Sequence, residues 1–139
     1  MPDPPLIRID LAAPTPAYEQ IAAEIRSLLV TGELSPGATL PTVRQLGNDL
    51  NVHHNTVAQA YRILAEEGWL DLRRGRGARV ISRAKPASPS RDSHNTFRLA
   101  LKHLLAKAAA EGIAPEEIAQ QLDTHARTFK NRPPEKGEL

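Results

Sequence analysis

The sequence predicts a mainly α-helical fold with a small β-hairpin, arranged as an N-terminal winged helix-turn-helix and a short two-helix tail. Three observations indicate this class. Apolar residues recur at helical spacing in five segments. A basic glycine-containing turn, RRGRG, separates two short apolar runs after the third segment. A stretch rich in Ser, Pro and Ala then divides the chain of 139 residues, which is enough for one domain or two very small ones.

The chain begins with two predicted elements. The segment LIRID, residues 6–10, alternates apolar and polar residues, which indicates a short edge strand. Thr15 and Pro16 suit the N-cap and the first position of a helix over about 16–31. Its apolar stripe ends at Gly32, where glycine commonly terminates a helix. We expect this first helix to be scaffold for the core.

Two short helices joined by a tight turn follow. Thr42 and Gln45 have the spacing of a capping box, which predicts a second helix over about 43–50. A third helix begins within about four residues of Asn51 and closes at Glu67 and Gly68. Its predicted buried side carries Val57, Ala60, Tyr61, Leu64 and Ala65. This arrangement is typical of a helix-turn-helix.

A β-hairpin is predicted next, which would add a wing to the helix-turn-helix. Its arms are the runs Trp69–Leu72 and Ala78–Ile81. Together these elements define an N-terminal domain over residues 6–81. Residues 82–95 lack periodicity and are predicted to be a linker.

The last third of the chain predicts two more helices. One spans about 96–111 and ends at Gly112, and Pro115 opens the other. Two helices of this length cannot bury their own apolar faces, so we expect a dimerisation region over residues 96–131. The interface residues would be Leu101, Leu104, Leu105, Ile118, Leu122 and Phe129. The alternative is a self-contained helical hairpin packed on its own wing domain. Residues 132–139 are predicted to be disordered.

Composition excludes several classes of protein. The chain has no cysteine, which rules out disulfides, thiolate catalysis and cysteine-rich zinc sites. The N-terminus lacks a basic cluster followed by an apolar run, and no stretch of about 18 apolar residues occurs. We therefore expect a cytoplasmic protein without a membrane partner.

Positive charge is concentrated although the net charge is only +2. Between Leu72 and Lys107 there are ten Lys or Arg residues and one acid, Asp92. Such a run is often a solvated tail. Here, however, Arg73, Arg74, Arg76 and Arg79 surround Gly75 and Gly77 at the hairpin tip. Like charges this dense repel each other unless a polyanion lies opposite them, so the wing indicates nucleic acid.

The third helix supports the same partner. With its apolar side turned inward, helical geometry places Asn55, Gln59, Arg62 and Glu66 outward. Asn and Gln can bond adenine bidentately in the major groove, and Arg62 can reach a phosphate. An ordinary polar helix face is the alternative, and the wing is what favours double-stranded DNA.

The adjacent histidines His53 and His54 suggest either a metal site or the entry of a helix that touches a ligand. Neighbouring side chains at a helix entry are expected to diverge, and a zinc site needs further ligands at suitable spacing. We therefore predict no metal and no cofactor. The two imidazoles are expected to donate to phosphate or to a base edge.

The run LPTVRQLGNDLNVHHNTVAQAYRILAEEGWLDLRRGRGARV resembles the winged helix-turn-helix signature of the GntR family of bacterial transcription regulators. The resemblance covers about residues 6–83. It implies a DNA contact by Arg44, in the motif LP-x-x-R. It likewise implicates the start of the third helix and the wing tip, through His53, His54, Asn55, Thr56, Arg74, Gly75 and Arg76. The family pattern often has basic residues where this chain has His54 and Ala58, which leaves the operator sequence open.

The two-helix tail, with AEGIAPEEIAQQL between its helices, resembles the YtrA-like branch of that family. The resemblance implies a homodimer that reads a palindromic operator, by analogy as a repressor. Two short helices are too small to enclose a metabolite pocket, and whether a small effector exists stays open. A non-specific architectural DNA-binding protein is the alternative.

An enzyme is the third class considered. The sequence shows no Ser-His-Asp spacing, no phosphate-cradling glycine loop and no cluster of metal ligands. An active site would require the dispersed residues His103, Asp123 and His125 to converge. We therefore expect no enzymatic activity.

Overall fold

The computed structural model describes residues 7–73, 77–83 and 90–131. The chain divides into two compact units, with the boundary between residues 84 and 85. The N-terminal unit contains helices α1 (Ala17–Thr31), α2 (Val43–Leu50) and α3 (His54–Glu66), followed by strands β1 (Leu70–Asp71) and β2 (Arg79–Val80). The C-terminal unit contains α4 (Arg91–Ala110) and α5 (Pro115–Lys130). The predicted fold class, mainly α with a small β-hairpin, is confirmed.

The core of the N-terminal unit lies where α1 and α2 pack against α3 and the hairpin closes one end. Ile21, Ile25, Val57 and Leu64 are its largest fully buried side chains. Because each side chain of this size contributes roughly 1.5–3 kcal/mol when it is fully buried, this packing fixes the orientation of α3. The remaining buried residues are Ile7, Ala22, Leu29, Leu34, Leu40, Leu46, Ala60, Tyr61, Trp69, Leu70, Ala78 and Val80.

The N-terminal segment differs from the prediction in two ways. Residues 7–10 form no strand, because the backbone N–H and carbonyl of Asp10 are hydrogen-bonded to the Gln20 side chain of α1. The Gln20 side chain accepts from the Asp10 backbone N–H at 2.7 Å and donates to the Asp10 carbonyl at 2.9 Å. Ile7 still joins the core. Thr15 is also not the N-cap of α1: Pro16 occupies that position without a side-chain bond, and the Thr15 carbonyl accepts from Gln20.

The predicted capping box of α2 is confirmed. The Thr42 hydroxyl accepts from the Gln45 backbone N–H at 3.1 Å, and the Gln45 side chain accepts from the Thr42 N–H at 2.9 Å. These two bonds satisfy N–H groups that the helix cannot pair internally. At the other end Asn51 adopts the left-handed conformation, with φ of 59°, and turns the chain into α3. The start of α2 and the turn to α3 are thus locally encoded.

Gly47 allows the turn between α2 and α3 to close tightly. It is buried, and the Val52 N–H donates to its carbonyl at 2.9 Å. A Cβ atom at this position would lie 2.9 Å from the Val52 carbonyl oxygen and 3.4 Å from the Cα of His54. Both neighbours are backbone atoms, which cannot swing aside as a flexible side chain would. The start of α3 therefore approaches α2 at a distance that only glycine permits.

The hairpin is shorter than predicted but lies where it was expected. Leu70 pairs with Val80 and Asp71 pairs with Arg79 in an antiparallel register. The segment 37–40 covers the other edge of β2, since the Val80 N–H donates to the Ala38 carbonyl and the Leu40 N–H donates to the Ala78 carbonyl, both at 2.8 Å. This connection fixes the wing to the helical core.

A polar cluster holds the base of the wing. Arg26 of α1 donates to both carboxylate oxygens of Glu67, at 2.9 and 2.6 Å. These hydrogen bonds raise the pKa of Arg26 and lower the pKa of Glu67. Arg83 donates to the Glu67 carbonyl at 2.9 Å, and its guanidinium lies 4.4 Å from the Trp69 ring centroid. The chain is thus anchored where it leaves the wing.

The C-terminal unit is a pair of helices in contact with each other. Pro115 occupies the first turn of α5, as predicted. By contrast, α4 begins at Arg91, five residues before the predicted start near residue 96. The Ser90 hydroxyl caps it by accepting from the Ser93 N–H at 3.0 Å. The predicted linker 82–95 is therefore too long, because residues 91–95 are helical, and residues 84–89 lie outside the described residues. So do residues 132–139, which were predicted to be disordered.

Within the described residues, no helix is long and apolar enough to span a membrane.

The close approach at Gly47 leads to a stability prediction. Gly47→Ala should lower the free energy of unfolding by about 1–3 kcal/mol, the typical cost of adding a methyl group to a packed site. The added Cβ would push against the Val52 carbonyl and the backbone of His54. Urea unfolding followed by circular dichroism measures the difference.

Asn48→Ala is the matched control, because Asn48 is the next residue of the same helix and its side chain is exposed. Its effect should stay within about 0.5 kcal/mol of zero. Equal midpoints for the two variants would contradict the steric argument.

Candidate nucleic-acid interface

Helix α3 presents a polar face to the outside. Its opposite side is held in the core by Val57, Ala60 and Leu64, none of which has any accessible surface. Since side chains repeat every 3.6 residues, this burial turns the predicted contact residues outward. Asn55, Gln59 and Arg62 are exposed, and Thr56 is half-buried.

His53 is the N-cap of α3, a role that the sequence analysis did not assign to it. Its backbone is extended, and the ring nitrogen Nδ1 accepts from the Asn55 backbone N–H at 3.0 Å. Helix N-caps are usually Ser, Thr, Asp or Asn, whose short side chains carry an oxygen acceptor. Here an imidazole nitrogen satisfies the same backbone group. His53 is itself exposed, so its ring is both a cap and part of the outer surface.

His54 packs on His53. Their ring centroids are 4.2 Å apart, with 29° between the ring planes. The expectation that these side chains diverge was therefore wrong, because the cap turns the His53 ring towards the helix start. Partial desolvation lowers the pKa of His54, and the neighbouring His53 and Arg44 lower it further. The described structure thus brings Arg44 of α2 close enough to His54 to influence its charge.

Arg44 is exposed in the first turn of α2. Two interactions fix this turn. The capping box holds the backbone of Thr42, and the Tyr61 hydroxyl donates to the Pro41 carbonyl at 2.7 Å. Burial of that phenol raises its pKa. Tyr61 therefore connects the buried side of α3 to the loop that positions Arg44.

The two histidines do not form a metal site with other groups that the structure describes. Among the described residues, no group of three or more His, Cys, Asp or Glu side chains could hold a metal ion. Nδ1 of His53 is already occupied by the helix cap. Of the dispersed residues considered for an active site, Asp123 forms an ion pair with Arg127 at 2.9 Å.

The wing contributes further positive charge. Arg79 is exposed on β2, opposite Asp71. Arg73 is also exposed and pairs with Asp71 at 2.8 Å. Gly77 adopts a φ of 69°, which side chains rarely tolerate. Arg74, Gly75 and Arg76, predicted to contact DNA, lie outside the described residues.

A groove runs between α3 and the wing. Arg62 of the helix and Arg73 of the wing both line it. The other lining residues are Thr42, Val43, Ala58, Tyr61, Leu72, Gly77 and Ala78. Sequence reasoning did not assign Thr42 or Leu72 to the interface, since one was interpreted as a cap and the other as part of a hairpin arm. No local signal identifies them, because the groove is formed by segments distant in sequence.

The C-terminal helices carry exposed apolar side chains. In the described parts of α4 and α5 no residue is buried. Leu104 is 62% exposed, Leu122 is 43% exposed and Phe129 is 46% exposed. Leu101, Leu105 and Ile118 are half-buried in this helix pair. Phe97, not included in the predicted interface, is 65% exposed and lies one turn before Leu101.

Comparison with known proteins places this geometry in a family. The model of the bacterial regulatory proteins of the gntR family matches residues 17–80, from the start of α1 to the end of β2. An HTH-type transcriptional repressor, YtrA, from Bacillus subtilis is 34% identical over 117 residues, which cover 84% of this chain and 89% of that protein. The similarity therefore extends beyond the wing into the C-terminal helices.

Solved structures agree. YtrA from Sulfolobus acidocaldarius, a GntR-family transcription factor, is 37% identical with a TM-score of 0.55, covering 72% of this chain and 97% of that one. A transcriptional antiterminator from Listeria monocytogenes has a TM-score of 0.65 at 24% identity and shares the fold over 94% of this chain and 98% of its own. The chain therefore belongs to the YtrA-like branch of the GntR family and is a DNA-binding transcription regulator with a winged helix-turn-helix.

Proposed function

We propose that this regulator is a homodimer that binds a palindromic operator sequence-specifically and represses transcription. The observation that carries the proposal is the outward face of α3, where burial of Val57, Ala60 and Leu64 leaves Asn55 and Gln59 exposed. These two amides lie one helical turn apart. Each can make the paired hydrogen bonds that distinguish adenine in the major groove.

The cationic groups around this face would bind the DNA backbone. Arg62 lies at the edge of the groove and Arg79 lies on the wing, whereas we assign Arg44, at the start of α2, to a base edge in the major groove. Contacts to phosphate set the register of a protein on the duplex but do not discriminate between bases. We assign Arg74, Gly75 and Arg76 the same role at the wing tip, on the family resemblance alone.

The C-terminal helices would pair two subunits. Their exposed apolar side chains form a surface that water disfavours, and a second copy of the same pair would cover it. A twofold dimer presents two recognition helices to two equivalent half-sites, which is why a palindromic operator is expected. The similarity to the Bacillus subtilis repressor, which extends into these helices, supports the repressor assignment. We infer no enzymatic activity, since the similar proteins are transcription regulators.

A non-specific architectural protein is the second candidate, and the arginines of the wing favour it. Such a protein would use Arg73 and Arg79 on phosphates and would not need Asn55 or Gln59. Fluorescence anisotropy with the duplex upstream of the chain's own gene and with a scrambled duplex separates the two. A preference of about 10³ or more indicates a specific regulator. Near-equal binding would favour the architectural role, unless a genome-wide search for bound sites finds an operator elsewhere.

Arg44→Ala should remove most of this preference and weaken operator binding roughly 10-fold or more, the magnitude of one lost strong contact. Arg44 is exposed in the first turn of α2, and its charge acts on His54. Anisotropy titrations at about 150 mM salt measure both quantities, since affinities for DNA depend steeply on salt.

Arg127→Ala is the charge-matched control, because Arg127 lies on α5 and pairs with Asp123. It should leave the preference unchanged. If both variants lose affinity equally, total charge rather than the position of Arg44 determines binding.

Leu104→Lys should convert the dimer to a monomer, since a charge in the centre of an apolar interface is left without solvation. Sedimentation velocity at micromolar concentration measures the change. Ala106→Lys adds the same charge two residues along α4, at an exposed position about 200° around the helix from Leu104. That control should remain a dimer. A monomeric unsubstituted protein would overturn the dimer proposal.

His54 should make DNA binding tighter at lower pH. Its pKa is lowered in the free protein. A neighbouring phosphate would raise that pKa, so the complex would bind more protons than the free protein. The affinity of the unsubstituted protein relative to His54→Gln should then increase as the pH falls from 8 to 6. A constant ratio in parallel anisotropy titrations would show that His54 takes up no proton on binding.

A further inference from the structure

We propose that His53 positions the first turn of the recognition helix through an unprotonated Nδ1, so that DNA reading requires this histidine to be neutral. The effect on DNA recognition rests on the proposed function, whereas the effect of His53 on the helix rests on the observed cap. It assigns to His53 a role that is separate from donating to DNA.

The cap determines the tautomer of His53. Nδ1 lies 3.0 Å from the Asn55 backbone nitrogen, which donates its hydrogen to it. A nitrogen that accepts this bond cannot carry a hydrogen of its own, so the neutral ring must carry its proton on Nε2. In the doubly protonated ring both nitrogens are donors, and the Nδ1 hydrogen would point at the Asn55 N–H. Protonation therefore removes the cap and replaces it with a repulsive contact.

The stacked neighbour adds to this requirement. The centroid of the His54 ring lies 4.2 Å from the centroid of the His53 ring. Gly47 of α2, which packs against the backbone of His54, carries no charge. A proton on His53 would thus lie against a second imidazole ring.

Loss of the cap would affect the contacts with bases, because it would disturb the backbone that carries the reading side chains. Asn55 supplies both the capped N–H and one of the amides proposed to read adenine. Thr56 follows it, and its own N–H donates to the His53 carbonyl at 3.0 Å. Fraying of this turn would therefore displace the first reading side chains. Since an N-cap contributes roughly 0.5–2 kcal/mol, we expect a 3- to 30-fold loss of operator affinity.

The binding test compares His54→Gln with the double variant His53→Asn, His54→Gln. The shared His54→Gln removes the opposing proton uptake at position 54. Asn can cap a helix but does not titrate between pH 7.5 and 5.5. On lowering the pH through this range, His54→Gln should lose about 3- to 30-fold in operator affinity relative to the double variant. Parallel pH profiles for the two proteins would overturn the proposal.

A second measurement does not depend on DNA. Long-range ¹H–¹⁵N NMR spectra of the full chain report the tautomer of each histidine. At pH 7.5 His53 should carry its proton on Nε2, and the Asn55 amide resonance should shift with the titration of His53. A proton on Nδ1 would overturn the proposed cap. So would an Asn55 amide resonance that does not shift when His53 is protonated.

The two measurements also separate this inference from the proposed function. If no protein variant prefers the operator to the scrambled duplex at any pH, the proposed function fails, and with it the part of this inference that concerns DNA. The NMR result still decides whether a neutral His53 caps α3. If operator binding is specific but the pH profiles are parallel, the proposed function stands and the role of His53 is overturned.

Discussion

Packing of α3 against α1 and α2 is the constraint on which the rest of the structure depends. Val57, Ala60 and Leu64 have no accessible surface, so the helix cannot rotate without exposing them. Because α3 cannot rotate, the positions of Asn55, Gln59 and Arg62 on its outer face are fixed as well. The orientation of these outward side chains thus depends on residues that are themselves fully buried. Gly47 sets the depth of this packing, since its missing side chain admits the backbone at the start of α3.

Three polar interactions transmit that constraint to the edges of the surface. The Tyr61 hydroxyl ties the buried side of α3 to the loop before Arg44. The backbone pairing of residues 37–40 with β2 holds the wing beside the same helix. Arg26, Glu67 and Arg83 then anchor the chain at the base of the wing. Each interaction connects segments that are distant in sequence, so the positive groups are arranged by the fold rather than by their order along the chain.

The two units of the protein use apolar residues differently. In the N-terminal unit most of the large apolar residues fill one core. In the described C-terminal helices none is buried, and Leu104 and Phe97 are mostly exposed. A surface of this kind fits a partner of equal apolar character, which is the physical basis for proposing a second copy of the chain.

Much of the fold could be predicted from local patterns. Helical periodicity placed the five helices in the described parts of the chain, and the capping box gave the start of α2 to the residue. The start of α4 was predicted too late, although a signal was present. Ser90 lies three residues before Ser93 and caps the helix, but the Pro and Ser content of this segment indicated a linker. The strand predicted at residues 6–10 failed for a different reason. Apolar and polar residues do alternate there, but the backbone N–H and carbonyl of Asp10 are hydrogen-bonded to the Gln20 side chain.

The sequence by itself determined which residues face the core and which face outward, because periodicity is a property of one helix or strand at a time. It also led to the prediction that Arg44, His53, His54, Asn55 and Gln59 contact DNA, with Arg44 implied by the family resemblance. Only the tertiary structure decided how these groups relate to each other. The groove beside the wing, the contact of Gly47 with the next helix and the stacking of the two imidazoles all depend on distances between parts folded together. A linear pattern carries no such distances, which is why His53 appeared in the sequence only as a donor and in the structure also as a cap.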